Sequence, residues 1–95
     1  MLRYGDFFLV VEKELDGETQ YLTREGEITK DEEKSYILSS LREAVEKLKE
    51  LCPKDLSPET IPCIYRVIET GEGGKWKWCE IYEEDGTRRK TVSGM

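Results

Sequence analysis

Residues 39–51, Ser-Ser-Leu-Arg-Glu-Ala-Val-Glu-Lys-Leu-Lys-Glu-Leu, form the one stretch of the chain with a sustained helical period. Leu41, Ala44, Val45, Leu48 and Leu51 fall at i, i+3, i+4, i+7 and i+10, which sets them on one stripe of an α-helix. Ser40 and Glu43 have the Ser-x-x-Glu spacing that satisfies two orphan amides at a helix start. Cys52-Pro53 closes the other end, because a residue before proline avoids the helical region. Glu43 and Lys47 stand four apart, acid first, on the solvated side. A single amphipathic helix must rest its stripe on another element, and every flanking segment reads as strand. One helix on a β-sheet is therefore the expected arrangement.

Residues 7–15 begin with Phe7, Phe8, Leu9, Val10 and Val11 and then alternate with charge, as a strand does when it is buried on both faces at first and on one face later. Asp16-Gly17 separates them from a second strand-like run, residues 19–23. Asp-Gly between two such runs signals a tight hairpin, since the favoured turn needs positive φ, which glycine adopts without strain. Gly26 breaks this second strand, and residues 27–34 are too polar for a core. Tyr36-Ile37-Leu38 reads as a brief strand or as a hydrophobic staple before the helix.

After the helix, three prolines between residues 52 and 62 mark a connection, in which Ser57-Pro58-Glu59 suits one helical turn. Residues 64–70 and 75–82 read as a hairpin about Gly71, Gly73 and Gly74, with Trp76, Trp78 and Tyr82 alternating onto one face. Asp85-Gly86 turns the chain into a polar last strand over residues 87–92, suited to an exposed edge, and residues 93–95 are expected to fray. The sum is an α+β fold in a single domain, residues 1–95. It is two-layer, with a mostly antiparallel sheet of about five strands in the order β-β-α-β-β-β and one amphipathic helix packed on one face.

The net charge of −6 bears on partners. It makes bare nucleic acid or an anionic membrane a poor match and a basic surface on another protein a good one. The excess of acid lies in residues 1–62, whereas residues 63–95 are balanced. No apolar run approaches a membrane span, and the start lacks the cationic region and cleavage site of a secretory signal, so a cytoplasmic setting is expected. Cys52, Cys63 and Cys79 are odd in number and widely spaced, which argues against a disulfide framework and against a zinc site. Histidine is absent, which removes the commonest general base at neutral pH and the commonest metal ligand. No catalytic residue, metal or cofactor is expected.

Two functional readings follow. In the leading one the chain is a small acidic, non-enzymatic protein-binding module of regulatory or inhibitory type, with Asp31, Glu32 and Glu33 meeting a basic partner. Small size and high charge give it the look of a phage or mobile-element protein. In the alternative, Lys75, Trp76, Lys77, Trp78, Arg88 and Arg89 hold single-stranded nucleic acid by base stacking along a cationic track. A small core competes for those tryptophans and is expected to claim at least one. An unpaired last strand also offers an edge for a homodimer.

Overall fold

The computed structural model describes residues 1–13, 18–52, 54 and 56–94, with Lys90 and Thr91 described by their backbone alone. The strands are β1 (Phe7–Lys13), β2 (Thr19–Leu22), β3 (Ile28–Thr29), β4 (Ile37–Leu38), β5 (Thr60–Thr70), β6 (Trp76–Glu83) and β7 (Arg88–Gly94). The helix α1 (Leu41–Leu51) lies between β4 and β5. The strands form one antiparallel sheet in the order β3-β2-β1-β5-β6-β7. β4 pairs with the first residues of β1, through Phe7 with Leu38 and Phe8 with Ile37, beside the stretch that pairs with β2. The expected α+β class is the one observed, with seven strands among the described residues where about five were expected.

The two additional strands are short. Of Tyr36-Ile37-Leu38, the last two residues form a strand, and Gly26, at φ +83°, turns the chain back so that Ile28 and Thr29 pair with Leu22 and Tyr21. Two residues are too few to show a period of two, so β3 leaves no mark in the sequence pattern. β1 and β2 pair as the first hairpin requires; its Asp16-Gly17 turn lies outside the described residues, as does Pro53 at the helix stop. Ser57-Pro58-Glu59 forms a hydrogen-bonded turn, Thr60 N to Ser57 O at 2.9 Å, rather than a helical one.

β5 starts at Thr60, four residues before the expected strand, and so contains Pro62. A proline is tolerated there because β6 ends opposite Cys63, leaving Pro62 with β1 as its one neighbour and no ladder bond to donate on the other side. Ser93 and Gly94, expected to fray, pair with Cys79 and Trp78.

The helix start carries the serine half of the expected capping box: Ser40 Oγ accepts from Glu43 N at 3.2 Å. Leu41, Ala44, Val45, Leu48 and Leu51 pack with Phe7, Leu9, Leu22, Leu38 and Ile64 from one face of the sheet. On the outer side Lys47 pairs with Glu50 at 3.3 Å instead of with Glu43, and Arg42 pairs with Glu46.

The opposite face carries a second apolar cluster, on the side away from α1. Phe8, Val10, Tyr21, Cys63, Tyr65, Val67, Trp76, Cys79 and Ile81 are buried there together with Leu2. The sheet covers these residues itself by curling. Trp76 Nε1 donates to Tyr21 Oη at 3.0 Å, although β1 and β5 lie between their strands. In a flat sheet three strand spacings of about 4.8 Å would hold them roughly 14 Å apart. The α1 side is therefore the convex face and the tyrosine-rich side the concave one.

Candidate functional site

Asp31, Glu32 and Glu33 sit on the turn between β3 and β4, and they do different things. Asp31 caps a single 3₁₀ turn, its carboxylate accepting from Glu33 N at 3.0 Å. Glu32 is half-buried and accepts from the backbone N–H of Trp76 at 3.4 Å. Glu33 is exposed. Glu32 and Glu33 help line a pocket of about 100 Å³ whose other walls include Leu2, Ile37, Lys75 and the Gly73-Gly74 backbone. Burial pushes the Glu32 carboxyl above its ordinary value, with the charges of Asp31 and Glu33 adding to the rise, while the Trp76 amide and Lys75 oppose it. Two carboxylates and the Lys75 ammonium thus share the lining of one pocket with the apolar side chains of Leu2 and Ile37.

The residues of the alternative reading do not share one surface. β6 spends an extra residue between Trp78, opposite Glu69, and Trp76, opposite Thr70. This β-bulge defeats the expected alternation, so Trp76 and Trp78 lie on opposite faces. Trp76 is 4% exposed on the concave side, whereas Trp78 is 41% exposed on the convex side. The core claims one of the two, as expected. Arg89 also turns inward: it donates to Glu83 at 2.7 Å and to Glu12 at 2.9 Å. Lys75 lines the acidic pocket, Lys77 pairs with Glu69 at 3.9 Å, and Arg88 pairs with Glu80 at 2.6 Å. A continuous stacking and cationic track through all six side chains is not formed.

A polar cluster that the sequence reading missed lies at one end of the concave face. Glu12 accepts from Tyr65 Oη at 2.5 Å, from Arg89 at 2.9 Å and from the Cys63 thiol at 3.4 Å. Burial raises the Glu12 carboxyl, but the hydrogen bonds from Tyr65 and Arg89, the charge of Arg89 and the Cys63 thiol outweigh it and hold the group below its ordinary value. Burial pushes the Cys63 thiol well up, and the Glu12 carboxylate adds to that. A carboxylate held ionised and a thiol held protonated make a weak base and a weak nucleophile. What the cluster does is tie β1 to β7 across the two strands between them. The signal for it was the position of Glu12, a charge in phase with the inward-facing Phe8 and Val10.

On the convex face beyond the helix, Arg66 and Arg88 both pair with Glu80, and the Arg66 guanidinium lies over two rings, 5.5 Å from the centroid of Tyr4 and 5.9 Å from that of Phe7. Among the described residues no three Cys, Asp or Glu side chains gather to hold a metal ion, and no helix is long and apolar enough to cross a membrane. No known protein family, curated protein or solved structure matches the chain.

Proposed function

We propose that the protein is a non-enzymatic binding module that docks on a basic surface of another protein, with the Glu32–Glu33 pocket receiving a lysine or arginine side chain. The observation that carries this reading is the meeting of two carboxylates with apolar side chains in the lining of one pocket. Leu2 and Ile37 suit the methylene stem of a long cation, and Glu32 and Glu33 suit its charged head. Burial, with a smaller addition from the charges of Asp31 and Glu33, raises the Glu32 carboxyl, so an arriving cation favours an ionised form that the free protein stabilises poorly. The net charge of −6 adds long-range attraction and speeds encounter at low salt. A regulatory or inhibitory role in the cytoplasm fits a molecule of this kind.

Calorimetric titration with a lysine-rich hexapeptide tests the assignment. Glu32→Gln with Glu33→Gln is expected to weaken binding about tenfold or more, a loss of roughly 1.4 kcal/mol. The matched pair Glu43→Gln with Glu46→Gln, on the exposed side of α1, removes the same charge and should leave affinity within about twofold. Equal losses from the two pairs would mean that net charge, not the pocket, does the binding.

A further inference from the structure

β7 pairs with β6 on one side and, among the described residues, has no strand on the other. Beside this open edge Trp78 is 41% and Val92 50% exposed. Both are in phase with Glu80 on the convex face, since Val92 pairs opposite Glu80 and Trp78 is two residues along β6. α1 rests on β1, β4 and β5 and leaves them uncovered. An open strand edge next to exposed apolar side chains is a template for a further strand.

The order of residues along β7 indicates which strand fits. Arg88, Arg89 and Lys90 open it, and the uncharged Val92, Ser93 and Gly94 close it. In an antiparallel pairing of the whole of β7 with a copy of itself, position 88 falls opposite 94, 89 opposite 93 and 90 opposite 92. Every cation then faces an uncharged residue, whereas a parallel pairing sets like charges side by side. Gly94 extends the fit. The Trp78 ring lies over it so closely that a methyl at position 94 would come 2.3 Å from Cζ3. Arg88, 64% exposed, is thereby brought opposite the residue that the second copy's indole covers, where a guanidinium can stack on the ring.

We propose that the chain forms a two-fold homodimer by antiparallel addition of β7 to β7 of a second copy, with Trp78 and Val92 of both copies buried at the junction. Such an interface is isologous and closes on itself, so it ends at two copies. It is independent of the acidic pocket, and its salt dependence has the opposite sign. Two copies of net charge −6 repel, so added salt strengthens the dimer, whereas it weakens capture of a basic partner.

Sedimentation velocity over a concentration series, from about 5 to 500 μM, reads the mass directly. The expected result is a rise from one chain to two with no larger species, and a concentration-dependent blue shift of tryptophan emission that is lost in Trp78→Phe. Val92→Lys, at a position already exposed, is expected to raise the dissociation constant about tenfold or more while leaving the circular dichroism unchanged. A single-chain mass throughout the series would overturn the proposal. So would a dimer indifferent to Val92→Lys and Trp78→Phe, or a Trp78 signal that responds to an oligonucleotide or a basic peptide while the chain stays monomeric.

Discussion

The indole N–H of Trp76 and the hydroxyl of Tyr21 meet at 3.0 Å from strands that are not neighbours, and this bond spans the mouth of the curled sheet. Around it Phe8 packs against the rings of Tyr21, Tyr65 and Trp76, at centroid distances of 5.9, 5.6 and 6.3 Å. The aromatic cluster fills the concave side in the way α1 fills the convex one. Removing the Tyr21 hydroxyl leaves a buried indole donor unpaired, which costs about 1–3 kcal/mol. Tyr21→Phe should therefore lower the urea midpoint with an unchanged m-value, and a double-mutant cycle with Trp76→Phe should show coupling between the two sites. Additive effects would mean that the curl is held by packing alone.

The two tryptophans give a direct optical check on the β-bulge. Wild-type emission should contain one component quenched by acrylamide, from Trp78, and one protected, from Trp76. In Trp78→Phe the protected component should remain alone. If Trp78→Phe left an accessible emitter, the two indoles would not be sorted to opposite faces.

Glu12 and Glu32 should respond to pH with opposite signs. Glu12 is held below its ordinary value, so the folded chain binds that proton less tightly than the unfolded chain. Its contribution is complete above the ordinary carboxylate value of about 4.3 and is lost as pH falls through the folded value. Glu12→Gln should cost roughly 1–3 kcal/mol at neutral pH, and the difference from wild type should shrink in acid. Matching acid limbs in wild type and variant would contradict the ion pair with Arg89.

Glu32 is held above its ordinary value, so the folded chain binds its proton more tightly than the unfolded chain. Stability attached to this group rises as pH falls from neutral through the raised value. Glu32→Gln removes a charge that burial disfavours and keeps an oxygen for the Trp76 amide, so it should unfold at higher urea than wild type at pH 7, with the gap closing in acid. A less stable Glu32→Gln would show that its charge is already compensated.

Legibility in the sequence followed the range of the forces involved. Ser40, the apolar period from Leu41 to Leu51 and the glycines of the turns act over a few residues, so α1 and the hairpins are written locally. Whether Trp78 faces the same way as Trp76 depends on one extra residue in β6, which a count of alternating positions cannot register. The curl that joins Trp76 to Tyr21 and Arg89 to Glu12 depends on pairings made across the whole chain. Of the acidic residues, the crowding of Asp31, Glu32 and Glu33 was visible as sequence. The apolar part of the pocket lining was not, because Leu2 and Ile37 reach it from separate segments.

Amide chemical-shift mapping during titration with hexalysine tests most directly whether Glu32 and Glu33 capture a cation. The shifts should concentrate on Leu2, Glu32, Glu33, Ile37 and the Gly73–Lys75 backbone, and should vanish near 0.5 M salt, where screening lengths fall to roughly 4 Å. Shifts spread evenly over Glu43, Glu46, Glu50 and the turn at Glu84 and Asp85 would contradict it, and would reduce the acidity of the chain to a means of staying in solution.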